Sequence, residues 1–426
     1  MNKRIPPAST IEGAISLPGD KSISHRYAML ASIARGATRI RNYSTGADCH
    51  STLGCVRALG IEVEGAGTEF TAHGRGLDGL RQAAGDLDAG NSGSTIRMLS
   101  GILAGQPFRS RIFGDESLSR RPMQRIMKPL VEMGGAIRAR EDKFPPLEIE
   151  GTKLRPIHYI LPVASAQVKT CVLFAGLFAE GKTSVTEPVR SRDHTEIALR
   201  EFGAEIAVER HKISVTGRPN LEARELEVPS DLSSAAFFIV AALMTPGSRL
   251  SIGGVGLNPT RSALLDFLVG MGAKIRVPNL ESRGGELVGE ILVEHSALRG
   301  GMIEGGLTAA LIDEIPVLAV LGTATEEGLT VKDASELRIK ETDRIRTVVE
   351  NLRRMGVAAE ESTDGFFVPG RQKLRAAALE SWGDHRIAMA FAVAALRAGG
   401  ASTIEGAEAA SVSFPEFWDT LAAVVK

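Results

Sequence analysis

The sequence predicts an α/β protein built from six similar units that are arranged as two domains. A polar, small-residue helix start followed by a smooth apolar run occurs six times, at intervals of 66 to 82 residues. Most of these runs lead into a β-branched segment, and a second helix in most units ends at a glycine. Because a unit of roughly 70 residues is too small to bury its own core comfortably, we expect two domains of three units each.

The six predicted helices begin at side chains that can accept a hydrogen bond from an unpaired backbone N–H. In the first, Ile23, Tyr27, Leu30 and Ala34 recur at helical spacing, so one face should be buried. The helices start near Asp20, Asn91, Ser165, Asp231, Asp313 and Asp384, and their apolar runs cover residues 23–34, 96–104, 168–179, 235–244, 315–321 and 387–396.

Strands are predicted after several of these helices, where a small-residue turn precedes alternating β-branched residues. These segments are 181–185, 247–252 and 328–331. A second helix in five units should end at a glycine C-cap and turn into another strand. The five glycines are Gly60, Gly134, Gly203, Gly272 and Gly356.

The domain boundary is predicted at residues 226–230, where Val228-Pro229-Ser230 interrupts the pattern. A first strand near residues 10–17 is separated from the first helix by Pro18-Gly19 and could pair with the far end of the chain. We therefore expect one domain of residues 1–18 plus 229–426 and another of 19–228. Hinge crossings are expected near 18–20 and 226–231.

Composition limits the possible functions of this chain of 426 residues. It is 43% hydrophobic and 24% charged, as soluble globular proteins are, and its net charge of -1 argues against nucleic acid or a membrane surface as partner. Three cysteines without metal-site or redox spacing predict no disulfide and no zinc. With no apolar run of 18 residues and no leader pattern, we expect a cytoplasmic protein.

Local clusters of polar and basic residues at the helix starts point to anion binding. Unpaired amides and the positive end of the helix dipole favour a negative group there. If the six starts converged, they would form an anion site between the two domains; ordinary capping of surface helices is the alternative. The residues concerned are Lys21, Ser22, Arg26, Asn91, Ser92, Gly93, Ser94, Arg97, Ser165, Gln167, Asp313, Glu314, Asp384, His385 and Arg386.

Two further charged stretches could contribute to such a site. Arg120 and Arg121 precede Pro122 and a predicted helix at 123–133, and their planar guanidinium groups suit a carboxylate or phosphate. The segment 191–196, Ser-Arg-Asp-His-Thr-Glu, is as dense in charge. It could equally be a solvated capping box in which Glu196 pairs back to the helix start.

The densest charge cluster is the segment 336–345. On one helix, Glu336, Lys340 and Arg344 would align at steps of four, and an exposed salt-bridged face is then the ordinary interpretation. Its place after a strand of the fifth unit favours instead a position beside Asp313. Carboxylate and ammonium groups coupled in a closed site can exchange protons near neutral pH.

Taken together, these stretches resemble the 5-enolpyruvylshikimate-3-phosphate synthase family over essentially the whole chain. The matching motifs are Leu-Pro-Gly-Asp-Lys-Ser-Ile-Ser-His-Arg at 17–26, Gly-Asn-Ser-Gly-Ser-Thr-Ile-Arg at 90–97, Arg-Pro-Met at 121–123, Arg-Ile-Lys-Glu-Thr-Asp-Arg at 338–344 and Gly-Asp-His-Arg at 383–386. Segments 19–21, 165–169, 192–196 and 258–261 are similar to the family's second bacterial class.

This resemblance implies two inside-out α/β domains, each of three βαβαββ repeats, that close on substrate bound in a cleft between them. It implies transfer of the enolpyruvyl group of phosphoenolpyruvate to the 5-hydroxyl of shikimate 3-phosphate, with release of phosphate. No cofactor and no metal are implied. The partners are then the two small-molecule substrates, and we expect a monomer.

The resemblance also implies roles for individual residues. Asp313 would take the 5-hydroxyl proton, and Glu341, with Lys21 or Lys340, would protonate the methylene carbon and later remove that proton. Shikimate 3-phosphate would be held by Lys21, Ser22, Arg26, Ser165, Ala166, Gln167, Arg192, Asp313 and Lys340. Phosphoenolpyruvate would be held by Lys21, Gly93, Arg121, Gln167, Arg344 and Arg386. The resemblance also places glyphosate, the herbicide that competes with phosphoenolpyruvate in this family, against Gly93. The sequence departs from many members at Val412, where they carry a lysine.

Two alternatives remain at this point. The sister enzyme that transfers enolpyruvate to UDP-N-acetylglucosamine is similar in fold, but it typically carries a reactive cysteine in a loop that corresponds to residues 114–122, where this chain has none. A non-catalytic anion-binding scaffold would leave Asp313, Lys340 and Glu341 without a chemical role.

Overall fold

The computed structural model describes all 426 residues and groups them into two compact units. We call the first the terminal unit; it comprises Met1–Leu17, Pro229–Ser282 and Leu287–Lys426. The second, the central unit, comprises Pro18–Val228 and the short segment Arg283–Glu286, which the sequence did not assign to it. That the crossings near 18–20 and 226–231 act as hinges stays a prediction.

The chain begins with two strands of the terminal unit and then forms the central unit. The strands are β1 (Asn2–Ile5) and β2 (Glu12–Ser16). The central unit then contains α1 (Lys21–Ile33), β3 (Arg35–Arg41), α2 (Ala47–Ala58), β4 (Glu62–Ala66), β5 (Glu69–Arg75), β6 (Leu87–Asp88), α3 (Gly93–Ala104), β7 (Arg109–Phe113), α4 (Gln124–Glu132), β8 (Ala136–Arg140), β9 (Phe144–Glu150), β10 (His158–Ile160), α5 (Ala166–Gly176), β11 (Lys182–Thr186), α6 (His194–Glu201), β12 (Ile206–Glu209), β13 (Lys212–Thr216) and β14 (Glu225–Glu227).

The chain after Val228 returns to the terminal unit, except for the short segment Arg283–Glu286. Its elements are α7 (Leu232–Met244), β15 (Arg249–Gly256), α8 (Ala263–Gly270), β16 (Lys274–Arg276), β17 (Glu281–Arg283), β18 (Glu286–Glu294), β19 (Gly301–Ile303), α9 (Gly306–Leu311), α10 (Ile315–Gly322), β20 (Leu329–Val331), α11 (Arg344–Arg354), β21 (Glu360–Glu361), β22 (Phe366–Val368), β23 (Ala378–Glu380), α12 (His385–Ala395), β24 (Ser402–Glu405) and α13 (Phe417–Val424). Short 3₁₀ turns lie at Leu118–Arg120, Ser335–Ile339 and Ala407–Val412.

The strands form six small mixed sheets, three in each unit. Their orders are β14-β3-β5-β4, β6-β7-β9-β8, β10-β11-β13-β12, β2-β15-β18-β16, β19-β20-β22-β21 and β1-β24-β23. In the order given, each sheet has one pair of neighbouring strands that run parallel, and its other neighbouring strands run antiparallel. Three sheets use strands that are consecutive in the chain, whereas β14, β2 and β1 come from distant segments.

The strand predicted near residues 10–17 exists, and its expected pairing with the far end of the chain is confirmed at its start, where Ile11 forms an isolated antiparallel bridge with Val425. The residues that follow form β2, which pairs in parallel with β15, a partner that the sequence did not predict. The Ser230 hydroxyl donates to the Leu17 carbonyl at 3.0 Å, so the chain returns beside β2 before α7 leads to β15. The first strand of the chain, β1, pairs antiparallel with β24.

The helices predicted from the apolar runs form the interior of each unit. Every residue of α7, α10 and α12 in the terminal unit is buried, and so are all but two residues in each of α1, α3 and α5 in the central unit. A helix that is apolar on all sides has no face to offer to water, so the sheets lie outside it. This confirms the inside-out α/β arrangement. None of the helices is both long and apolar enough to cross a membrane.

The five predicted glycine C-caps are confirmed. Gly60, Gly134, Gly203, Gly272 and Gly356 have φ values of +87°, +93°, +94°, +102° and +86°. Side chains rarely adopt this left-handed region, whereas glycine enters it without a steric penalty. Each glycine therefore ends a helix and turns the chain toward a strand.

Candidate active site

The first site residues lie where the N-termini of α1, α3 and α5 come together in the central unit. Asp20, Ser92 and Ser165 cap these three helices through their side-chain oxygens. The Gln167 amide of α5 donates to the Ser94 hydroxyl of α3 at 2.9 Å, so these two helix starts are adjacent. Capping side chains use only some of the unpaired N–H groups, and the positive helix ends favour an anion.

Lys21, the first residue of α1, is held by a carboxylate that the sequence analysis missed. Its Nζ lies 3.0 Å from Oδ2 of Asp48, in the first turn of α2. The Asp48 side chain is 7% exposed and that of Lys21 is 20% exposed. Since the two residues are 27 positions apart, no local pattern could have paired them. The ion pair fixes the ammonium beside the helix start.

Arg26 lies one turn farther along α1 and is buried, with 2% exposure. Its Nε donates to the Thr195 hydroxyl at 2.7 Å, and its Nη2 donates to the Thr170 hydroxyl at 2.9 Å. Its Nη1 donates to the Ser22 carbonyl at 2.7 Å. Burial lowers the pKa of Arg26 to about 10, against the opposing effect of Glu196. The guanidinium therefore stays charged at neutral pH.

Arg192 contacts the same region from the loop before α6. Its Nη1 lies 3.5 Å from the Ser22 hydroxyl, which is a weak hydrogen bond. Glu196, which could have formed a solvated capping box, is instead buried and accepts from Lys169 Nζ at 2.7 Å. The solvated interpretation of this segment is therefore wrong. It failed because the partner of Glu196 lies on α5, outside the segment itself.

Gly93 opens α3 beside two arginines. A methyl group at Gly93 would lie 2.7 Å from Arg97 Nη1 and 3.6 Å from Arg121 Nη1. Arg97 Nη1 donates to the Gln167 side chain at 2.8 Å, and Arg121 Nη2 donates to Asn91 Oδ1 at 2.7 Å. Gly93, Arg121 and Gln167 were predicted to bind the same ligand, and the structure places the three residues close to one another. Ser165, the cap of α5, and Ala166, its first residue, directly precede Gln167.

In the terminal unit, Arg344 is the centre of a buried carboxylate cluster. Its Nε and Nη2 donate to the two oxygens of Asp384 at 2.8 and 3.1 Å, and Nη2 also donates to Glu341 at 2.6 Å. Its Nη1 lies 3.9 Å from Asp313 Oδ1. Arg344 is 1% exposed; burial lowers its pKa, but the surrounding carboxylates outweigh this and raise it. Its charge is therefore permanent.

Arg386, in the first turn of α12, contacts Asp313. Its Nη1 donates to the Asp313 carbonyl at 2.6 Å, and its Nη2 lies 3.9 Å from the Asp313 carboxylate. The neighbouring Glu314 is buried and accepts from the Ser233 hydroxyl, at the start of α7. The N-termini of α7, α10 and α12 are therefore adjacent, as those of α1, α3 and α5 are in the central unit.

The ordinary interpretation of segment 336–345, one exposed salt-bridged helix, is wrong, and Arg344 instead lies beside Asp313, as the position of the segment in the fifth unit indicated. Glu336 lies in a 3₁₀ turn, Lys340 ends it with an extended backbone, and Arg344 begins α11. The Asp343 side chain accepts from the Arg346 amide at 3.1 Å and so starts a new helix. The break places Lys340, which is half-buried, and Glu341 in the turn between the two elements.

Each unit thus presents cations and hydroxyls at three adjacent helix starts, and the terminal unit adds two carboxylates, Asp313 and Glu341, next to arginines. These features define the class: an α/β enzyme for small anionic substrates, with acid and base groups in place. The comparisons with known proteins identify the family more closely.

A family model described as EPSP synthase (3-phosphoshikimate 1-carboxyvinyltransferase) matches residues 5–421. The 3-phosphoshikimate 1-carboxyvinyltransferase of Solibacter usitatus is 78% identical over 421 residues, covering 99% of each chain. That of Bacillus subtilis is 46% identical over 414 residues, covering 97% of each. The chain therefore belongs to the EPSP synthase family, and it is a transferase.

Solved structures agree with this assignment. The EPSP synthase of Acinetobacter baumannii superposes with a TM-score of 0.89 at 42% identity, covering 100% of this chain and 98% of that one. The enolpyruvyl transferase NikO of Streptomyces tendae shares the fold, with a TM-score of 0.79 at 18% identity, covering 99% and 96%. At that identity the second likeness shows the fold alone.

Proposed function

We propose that this chain transfers the enolpyruvyl group of phosphoenolpyruvate to the 5-hydroxyl of shikimate 3-phosphate and releases phosphate. The observation that carries the proposal is the match to the EPSP synthase family over residues 5–421, within which the Asp313, Glu341 and Arg344 cluster is intact. Family membership assigns the chain to the shikimate pathway, which supplies the aromatic amino acids.

Asp313 is proposed as the base that takes the proton from the 5-hydroxyl as its oxygen attacks C2 of the enolpyruvyl group. Its carbonyl is held by Arg386 at 2.6 Å, and its carboxylate lies 3.9 Å from both Arg344 and Arg386. These two arginines hold the carboxylate in place. An ionised carboxylate within reach of the hydroxyl is what general base catalysis requires.

Glu341 is proposed as the acid that delivers a proton to C3 of phosphoenolpyruvate, and then as the base that removes one when phosphate leaves. Its hydrogen bond with Arg344 fixes the carboxylate at 2.6 Å from Nη2. Lys21 or Lys340 would assist this transfer. Addition of the 5-hydroxyl oxygen at C2 and of a proton at C3 gives a tetrahedral intermediate with a methyl group. When the C2–O bond to phosphate breaks, Glu341 takes a proton from that methyl group, the double bond is restored, and the proton held by Asp313 passes to the departing phosphate.

The substrate-binding residues are proposed from the same resemblance. Cations and hydroxyls at the helix starts of the central unit suit the phosphate and hydroxyls of shikimate 3-phosphate. This set is Lys21, Ser22, Arg26, Ser165, Ala166, Gln167 and Arg192, with Asp313 and Lys340 from the terminal unit. Phosphoenolpyruvate would be held by Lys21, Gly93, Arg121, Gln167, Arg344 and Arg386.

Val412, at the end of the last 3₁₀ turn, stands where many family members have a lysine. One ammonium is therefore missing on the proposed phosphoenolpyruvate side. We infer that binding of phosphoenolpyruvate and stabilisation of the leaving phosphate depend more on Arg386 and Lys21. We also propose that the enzyme acts as a monomer in the cytoplasm.

The function is tested by measuring phosphate release from phosphoenolpyruvate with each acceptor in turn. We expect release with shikimate 3-phosphate and none with UDP-N-acetylglucosamine. Release with the UDP sugar alone would assign the chain to the sister activity. Release with neither acceptor would support an anion-binding scaffold. The Asp313→Asn variant, run in parallel, reports background hydrolysis.

A further inference from the structure

Lys169 lies on α5 in a buried ion network that the proposed mechanism does not use. Its side chain is 0% exposed, and its Nζ donates to Glu187 Oε2 at 3.0 Å and to Glu196 Oε1 at 2.7 Å. Burying three charged groups carries a large desolvation penalty, and apolar residues of similar volume are often at least as stable at such positions. Packing alone therefore does not explain why these three charged groups are buried together.

Glu187 connects Lys169 to the loop that carries Arg192. The residue follows β11, and its Oε1 accepts from the Ser191 hydroxyl while its Oε2 accepts from the Ser191 amide at 3.4 Å. Ser191 directly precedes Arg192. The orientation of the backbone at Arg192 is thus fixed by a carboxylate that Lys169 holds in place.

Glu196 connects Lys169 to the residues around Arg26. It follows Thr195, whose hydroxyl accepts from Arg26 Nε at 2.7 Å and lies 2.6 Å from the Thr170 hydroxyl. Thr170 in turn accepts from Arg26 Nη2 at 2.9 Å. Two successive residues of α5, Lys169 and Thr170, therefore tie that helix to both proposed phosphate-binding arginines.

The charges of this network lead to the same conclusion. Without the ammonium of Lys169, Glu187 and Glu196 would be two uncompensated carboxylates close to the arginines. They would repel an incoming phosphate and compete for Arg26 and Arg192. Burial raises the pKa of Glu196, and the Lys169 ammonium, 2.7 Å from its carboxylate, opposes that shift.

We propose that Lys169 is a positioning residue for the phosphate group of shikimate 3-phosphate: it orders residues 187–196 and neutralises Glu187 and Glu196, so that Arg26 and Arg192 engage the phosphate. This inference rests on the function proposed above. It predicts that replacing Lys169 weakens binding of the phosphate group alone, because the ring hydroxyls of the substrate are bound by other groups.

The test compares the dissociation constants of shikimate 3-phosphate and of shikimate, which lacks the phosphate, by titration calorimetry. Lys169→Met should reduce the preference for the phosphorylated ligand by about tenfold or more, since it disturbs charge-assisted contacts. The matched control is Val172→Ala, a buried change on the same helix that makes a cavity but leaves the ions intact. It should lower the melting temperature and leave the preference unchanged.

A second variant keeps the test decisive if Lys169→Met does not fold. Ser191→Ala removes one hydroxyl from a half-buried loop position and weakens the tie between Glu187 and the residue before Arg192, because only the 3.4 Å bond from the Ser191 amide remains. It should also lower the preference for the phosphorylated ligand, and Arg192→Gln should cost less in that background than in the wild type. Additive losses would overturn the inference.

The outcomes separate this inference from the function on which it rests. If the wild type neither binds shikimate 3-phosphate nor releases phosphate with it, the proposed function fails. If the wild type is active and the Lys169 and Ser191 variants keep the full preference for the phosphorylated ligand, only the positioning role fails.

Discussion

Gly93→Ala probes the binding region at the start of α3. The added methyl group would lie 2.7 Å from Arg97 Nη1, whereas ordinary contacts begin near 3.4 Å, so this guanidinium must retreat by about 0.7 Å. Gly93 does not have a left-handed backbone, so alanine adds no conformational strain. The cost therefore arises from the displaced arginine and not from the helix.

The displaced group is Arg97 Nη1, which donates to Gln167 at 2.8 Å. A hydrogen bond to a charged group is worth about 1.5–3 kcal/mol, so its partial loss should raise the KM for phosphoenolpyruvate by about tenfold. Glyphosate, the inhibitor that the family resemblance places at this site, is longer than phosphoenolpyruvate. It should also clash with the methyl group, and its inhibition constant should rise by a larger factor.

The assay measures both constants in the wild type and in Gly93→Ala. Gly54→Ala is the matched control, because Gly54 lies inside α2 and a methyl group there would meet nothing within 4 Å. That control should leave both constants unchanged and slightly stabilise the helix. Equal factors in Gly93→Ala, or a larger loss for the substrate, would mean that Gly93 does not border the inhibitor.

Three further predictions concern single groups. Asp313→Asn should keep substrate affinity within about threefold and lower kcat by at least about a hundredfold, because the amide keeps the size but loses the basicity; near-normal turnover would refute the role. Arg344→Lys should lower the free energy of unfolding by about 2–3 kcal/mol in urea, since lysine cannot replace the fork that holds Asp384. Arg354→Lys, at a partly exposed pair, should cost less than about 1 kcal/mol, and equal losses would contradict the argument. All three thiols are buried and burial raises their pKa, that of Cys55 to about 12, so an aromatic disulfide reagent at pH 8 should titrate them only after denaturation; rapid reaction of the folded enzyme would show that a thiol is accessible.

The sequence predicted the buried helices of both units well because their signals are local. Asp20, Ser165, Asp231 and Asp384 each cap the helix that was expected to begin there. A polar cap and an apolar run lie within a few residues of each other, so both are visible in a short stretch. The arrangement of helices inside and sheets outside follows from such uniformly apolar runs.

The sequence failed where distant residues decide the structure. The pairing of β2 with β15 depends on where the chain returns at Ser230, which no local pattern records. Asp48 and Lys169 lie on helices and find their partners 18 or more residues away, so only the folded chain pairs them. At 336–344 the cause was local instead: a regular charge spacing suggested one helix, but the Asp343 cap starts a new one.

The central claim is that the chain transfers enolpyruvate by addition and elimination, with Glu341 adding and removing a proton at the methylene carbon. The most direct measurement is mass spectrometry of the product formed from phosphoenolpyruvate and shikimate 3-phosphate in deuterated water. Addition of a solvent-derived deuteron makes a rotating methyl group, so elimination leaves deuterium in the methylene group of the enolpyruvyl ether. The account predicts that ether with deuterium in its methylene group. No ether, or an ether without deuterium, would contradict it.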